Sequence, residues 1–334
     1  DFLPDVIGWP EVGSQLMWIV ALAIGIGVGV SIGGLQGFII AYAGVPAFVV
    51  TLGGLLALRG VVWVLSEGAA VTGIDSTFRQ VGGGALGSLG GEVTWLLAII
   101  GCIAVVLLLV YNRRQRQRFG IPLRPVWADL LIGGVACAVV LGLAWMANQQ
   151  FYPRGIAAQR AEELGIVVHE DQLASYFPMG VSWPILMLIG VTIVMSFIAT
   201  RRRFGRYVYA FGGNPEAADL AGINTRWTIM KTFMLMGVLC AIAGAIVVGR
   251  LNGAAQDLGT TQELYVIAAA VVGGTSFTKP GTGTIIGAVI GAFVMQSLAY
   301  GLSFLGVPSP VQSIVAGVVL VVAVGLDNWF RRRR

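Results

Sequence analysis

Between Arg201 and Lys231 lies a long polar stretch bracketed by basic residues, RRRFGRYVYAFGGNPEAADLAGINTRWTIMK, and its residue types suit docking rather than bond making. Asn214 can cap the exposed N–H groups of a helix start, and Pro215 fits the first helical position, where its missing N–H costs little. Glu216 in the first turn complements the helix dipole, and Gly222 supplies a stop. The pattern predicts a helix from Pro215 to about Ala221. Two turns are too short to be stable alone, so the element must pack on something. Ala217, Ala218 and Ala221 offer a small-residue face that lets another protein approach closely. A plain connecting loop is the alternative.

Catalytic, cofactor-binding and metal-ligating patterns are missing. His169 is the single histidine, which removes most histidine metal sites and Ser-His-Asp arrangements. The two lysines, Lys231 and Lys279, follow Met230 and Thr278, whereas a P-loop needs Gly-Lys-Ser/Thr. Cys102, Cys137 and Cys240 sit in apolar runs and have no metal-ligand spacing; they read as small buried apolar residues. Asp129, Asp257, Glu263 and Asp327 fall at the ends of apolar runs, so no carboxylate lies mid-span as an ion-coupled carrier would need. Arg59, in TLGGLLALRGVVWVLSEG, is the exception. A buried arginine usually faces a partner or water. Its readings are a helix that begins later, packing against carbonyls of a neighbouring helix, and a place on a transport path.

The elements that must position these residues are membrane helices. Hydrophobic residues make up 57% of the chain and charged residues 11%, against roughly 25% charged in soluble domains. The 48 glycines fit close helix–helix approach in lipid. The formal charge of +5 comes from arginine clusters at span ends, so it speaks to orientation and not to nucleic acid. Runs of ~20 apolar residues predict an all-α polytopic transmembrane bundle. About nine spans are expected, at 15–43, 47–66, 93–111, 127–147, 183–200, 228–250, 264–280, 283–304 and 308–328. The first is glycine-rich and a candidate for a kink. The seventh ends in Gly273, Gly274, Thr275 and Ser276, backbone tolerated at membrane depth only inside protein or along a cavity.

Arg113, Arg114, Arg116, Arg118 and Arg124 form one basic cluster, Arg201, Arg202, Arg203, Arg206, Arg226 and Lys231 a second, and residues 331–334 a third. The positive-inside rule makes this side cytoplasmic, with Lys279. Arg79, Arg154, Arg160 and Arg250 fall on the other side. Residues 67–92 and 148–182 are then external loops; the second offers a short surface helix from Ala157 to Gly165, and its mix of acidic and apolar residues reads either as a solvated loop or as a contact surface for an extracytoplasmic partner. The whole chain, 1–334, reads as one permease-like domain with a cytoplasmic loop at 201–227. Asp1 falls outside, and the expectation is an odd number of upstream spans, about three.

FIATRRRFGRYVYAFGGNPEAADLAGIN resembles the cytoplasmic coupling segment of bacterial monosaccharide ABC-importer permeases, the membrane subunits of the ribose, arabinose, galactose and xylose type. The resemblance continues in GVPAFVVTLGGLLALRGVVWVLSEGAAVTG and in AGAIVVGRLNGAAQDLGTTQELYVIAAAVVGGTSFTKPGTGTIIGAVIGAFVMQSLAYGL. It covers about residues 20 to 328, with the xylose branch nearest by the long 148–182 insertion and the wording of the coupling segment. The Asp-Leu-Ser-Val-Gly segment usual in an early span is absent, in keeping with missing upstream spans. The resemblance implies alternating access in a multi-pass protein of the bacterial inner membrane. It implies a separate cytoplasmic ATPase that binds ATP and magnesium, a periplasmic sugar-binding protein and a second permease copy. Gly213, Asn214, Pro215, Glu216, Ala217, Ala218 and Gly222 would couple to the ATPase. Thr51, Arg59, Trp63, Gln296 and Tyr300 are path candidates by residue type alone, each weighed against simple core packing. Other cargo (ribose, galactose, an autoinducer, a nucleoside or an amino acid) is the alternative within the same mechanism. An ion-coupled carrier or a membrane enzyme lacks its required residues.

Overall fold

Glycines spaced four apart bring one helix pair into backbone contact. In the computed structural model, which describes residues 14–119, 125–163, 176–276 and 280–332, Gly29, Gly33 and Gly37 lie on one face of helix α1 (Ser14–Tyr42). That face meets helix α10 (Thr225–Leu251) at Gly237, Phe233 and Met230. Added Cβ atoms at the three glycines would run into the opposing backbone. Without a hydrophobic drive between helices in lipid, such backbone approach supplies the packing. Helix α1 runs unbroken from Ser14 to Tyr42.

Thirteen helices and one two-stranded ribbon make up the described chain. After α1 come α2 (Ala47–Ser66), β1 (Val71–Thr72), α3 (Ser76–Val81), α4 (Gly91–Arg118), α5 (Val126–Asn148) and α6 (Arg154–Glu163). Then follow α7 (Trp183–Arg201), α8 (Arg203–Gly213), α9 (Pro215–Leu220), α10, β2 (Gly253–Ala254), α11 (Gln262–Val272), α12 (Ile285–Phe304) and α13 (Ser309–Arg332). The chain forms two compact units: Asp1–Gly73 with Leu188–Val248 and Asn252–Arg334, and Ile74–Met187 with Gly249–Leu251.

Seven helices, α1, α2, α4, α5, α7, α10 and α12, are long and apolar enough to cross a membrane. Large apolar residues on them are exposed in number, among them Leu107, Leu108, Leu130, Leu131, Ile193 and Phe293. Water would penalise such a surface and lipid does not. The seventh expected span, 264–280, takes a different form. Its helix, α11, has 11 residues, or about 16 Å at 1.5 Å per residue, roughly half of a bilayer core. It stops because Gly273 and Gly274 follow, the latter at φ +95°, where the chain turns. The ninth expected span, 308–328, is matched by α13.

In the first unit the half-length helix is the best buried element. Ala268 and Ala269 of α11 and Met295 of α12 form a core, with Tyr265, Val272, Ala316, Val319 and Leu320 against it, so α11, α12 and α13 pack together. Val71 pairs with Ala254 and Thr72 with Gly253 in the antiparallel β1–β2 ribbon.

In the second unit the expected loops 67–92 and 148–182 contribute segments that are stitched to each other. Leu89 and Gly90 donate backbone hydrogen bonds to Val181 and Met179 at 3.1 and 2.9 Å, and Trp183 donates to Gly87 at 3.0 Å. Thr94, 1% exposed, accepts from the Val181 N–H at 2.9 Å and donates to the Gly90 carbonyl at 2.8 Å. Tyr152 and Ser88 join by their hydroxyls. The surface helix expected from Ala157 to Gly165 is present as α6, beginning three residues earlier. His169, Lys279, Arg124 and residues 164–175 of the expected external loop lie outside the described residues.

Candidate coupling site and substrate path

Asn214 stands at φ −154° and ψ 104°, outside helical space, and its Oδ1 accepts the Ala217 N–H at 3.0 Å. That caps α9 as the side chain predicts. The far end closes in two bonds, Gly222 N–H to Asp219 O at 2.9 Å and Ile223 N–H to Ala218 O at 3.1 Å. Gly222 is at φ +80°, the left-handed conformation in which glycine ends a helix. Two residues later Asn224 caps α10 by accepting from Trp227 N–H at 2.9 Å. Two asparagine caps with a glycine stop between them hold this short helix.

The face of α9 differs in detail from the three-alanine surface expected. Ala218 turns inward and is 4% exposed, while Ala217 and Ala221 stay on the surface with Glu216. Leu220 is 91% exposed. Leu220 is the large apolar side chain that this two-turn helix presents. A lone apolar residue within a polar turn was the available signal.

Ahead of α9, the sequence read as a polar loop is helical. Phe204, Tyr207, Val208 and Phe211 of α8 recur at the spacing of one helical face. The Tyr209 hydroxyl donates to the Gly283 carbonyl at 3.1 Å. A cavity of about 260 Å³ lies beside this contact, lined by Ile198, Phe204, Val208, Tyr209, Thr275 and Ile285 among others.

The path candidates fall on two helices. Thr51, Arg59 and Trp63 are on α2, and Gln296 and Tyr300 on α12. Thr51 spends its hydroxyl on the carbonyls of Ala47 and Phe48, at 2.9 and 3.1 Å. Arg59 donates through Nη2 to Thr260 Oγ1 at 2.8 Å, and Thr260 in turn donates to the Asp257 carbonyl. That bond reaches a loop residue 201 positions away. Trp63 and Tyr300 are exposed. Gln296 lines a largely apolar cavity of about 460 Å³ with Leu188, Thr192, Leu239, Ala292 and Phe293. Thr192 there is bonded to the Leu188 carbonyl at 2.7 Å. The contacts of α2 run chiefly to α1 and those of α12 to α11 and α13, so the five candidates do not converge on one pocket.

Among the described residues no cluster of three His, Cys, Asp or Glu side chains is placed to hold a metal. Arg113 and Asp129 form an ion pair at 3.0 Å between the end of α4 and the start of α5, and both are partly exposed. What the geometry offers is a bundle of apolar helices with a capped two-turn helix between two of them.

Such a bundle is a multi-pass integral membrane protein. Comparison with known proteins sharpens the class. The family described as "Branched-chain amino acid transport system / permease component" matches residues 129–324. The xylose transport system permease protein of Escherichia coli (strain K12) is 34% identical over 327 residues, which cover 98% of this chain and 73% of that protein. The corresponding Haemophilus influenzae protein is 35% identical over 308 residues, 92% of this chain and 74% of that one. The ribose import permease protein of Escherichia coli (strain K12) is 42% identical over 151 residues, 45% of this chain and 47% of its own. No solved structure matches. The chain belongs to this family of transport-system permease components, and it is a transport subunit and not an enzyme.

Proposed function

We propose that this chain is the membrane subunit of an ATP-driven importer and carries an uncharged monosaccharide, with xylose favoured. The identity across 98% of the chain to a xylose permease carries the reading. The composition supports it, because Arg59 is the one charged residue near the middle of a span, so the path offers no set of charges to pair with an ionic cargo. In this reading a periplasmic binding protein delivers the sugar to a pair of permease copies in a bacterial inner membrane. A separate ATPase on the cytoplasmic side receives α9 of each copy, and ATP and magnesium bind there. Closure of the ATPase pair displaces α9 and switches the bundle between its two openings.

A second reading keeps the mechanism and changes the cargo to a branched-chain amino acid, which the matched family's description favours. A panel of labelled solutes separates the two. Proteoliposomes holding the permease, its ATPase and the binding protein are loaded with ATP. Uptake of a pentose with no uptake of leucine supports the sugar reading, and the reverse replaces it with the amino acid.

A further inference from the structure

Helix α9 is connected to the spans along the chain, through α8 to α7 and through Gly222 to α10, and through space by way of α8. Along the chain it leads through Gly222 to α10. Gly222 has open space around it and a left-handed backbone, and the turn is closed by its N–H to Asp219 O and by Ile223 N–H to Ala218 O. Through space, α8 ties α9 to residues 280–284, the segment that leads into α12. A Cβ on Gly212 would lie 2.5 Å from the Gly281 nitrogen. A Cβ on Gly281 would lie 2.6 Å from the Tyr209 carbonyl oxygen and 2.7 Å from the Gly213 nitrogen, and Gly281 itself is at φ +77°. The Tyr209–Gly283 hydrogen bond of 3.1 Å fastens the same joint. Backbone rests on backbone here, with no long side chain between to take up a displacement. Packed interfaces of this kind transmit shifts and do not absorb them.

Beyond the joint the next elements are locked as closely. Gly273 meets Gly287, and Gly291 meets Ala269, backbone against backbone between α11 and α12. Met295 and the alanines of α11 bring α13 into the same body.

Resting on the importer reading above, we infer that a displacement of α9 reaches the spans through the Gly212–Gly281 joint. It moves α11 and α12 as one piece, and Tyr209, Gly212 and Gly281 are positioning residues for coupled transport. The half-length helix α11, whose end at Gly273 lies between this joint and the buried core, is the part of the path that the stroke shifts.

The test is the amount of sugar imported per ATP hydrolysed by the complete complex, in variants that retain co-purification with the ATPase. Tyr209→Phe removes one hydroxyl and lowers the ratio about fivefold, the factor that one neutral hydrogen bond commonly contributes. Gly212→Ala forces the joint apart and lowers it further. Gly301→Ala, on α12 with open space around it, keeps the wild-type ratio and shows that a glycine replacement alone is not the cause. If Gly212→Ala fails to assemble, Tyr209→Phe decides. Wild-type ratios in Tyr209→Phe overturn the joint while leaving the importer standing. A wild-type complex that imports nothing with ATP removes the importer reading, and the joint with it.

Discussion

The Asn214 side chain and the Ala217 backbone N–H meet at 3.0 Å, and this bond decides where α9 begins. The helix has six residues and cannot sustain itself in isolation. Asn214→Ala should therefore cost about 1 kcal/mol of local helix stability. In the assembled importer it should reduce substrate-stimulated ATP hydrolysis, and Asn214→Asp or Asn214→Ser should restore most of it. Equal loss in all three variants would mean that the asparagine acts by some means other than the cap.

Leu220 should matter to docking more than the alanines beside it. An exposed leucine that becomes buried in a partner contributes about 1.5–3 kcal/mol, so Leu220→Asp should weaken co-purification with the ATPase at least tenfold. Gly222→Val should uncouple for another reason, because a branched residue resists the φ of +80° found there. Glu216→Lys should weaken stimulation by reversing the charge at the helix start. Normal ATPase binding and stimulation in all three would make α9 a connector.

Local signals were legible and distant ones were not. Asn214, Pro215 and Gly222 determine the start and stop of α9 within nine residues, so the sequence shows them directly. The apolar runs likewise marked α1, α2, α4, α5, α7, α10 and α12. The length of α11 was hidden because the residues after Val272 stay apolar or small, and only the backbone turn at Gly274 ends the helix. Helix α8 escaped notice because its arginines mask the Phe204–Tyr207–Val208–Phe211 stripe. Arg59 gave no hint of Thr260, nor Thr94 of Val181, since pairings across such separations depend on the fold. The path candidates were chosen by side-chain type, which says nothing of where helices meet, and they lie on two separate helices.

Thr94 links two loops through one oxygen. Thr94→Val keeps the shape and leaves the Val181 N–H without its acceptor, which should cost about 1–3 kcal/mol. The thermal midpoint of the purified protein in detergent should fall, and Thr94→Ser should recover most of the loss. An unchanged midpoint in Thr94→Val would show that these loop segments are held elsewhere.

The arginine clusters predict sidedness. In a background without Cys102, Cys137 and Cys240, single cysteines at Gln117 and at Gln150 should react with impermeant reagents from opposite faces, Gln150 from outside. Both positions are exposed, so reactivity reports side and not burial. Labelling of both from outside intact cells would overturn the orientation.

The central claim is that ATP, through a separate subunit, drives a neutral sugar across this bundle. The direct measurement is uptake of labelled xylose into sealed vesicles containing the permease, its ATPase and the binding protein. ATP inside the vesicles and collapsed ion gradients complete the conditions. Uptake should require ATP, the ATPase and the binding protein together, and should survive the loss of any proton or sodium gradient. Uptake driven by an ion gradient without ATP would contradict the account.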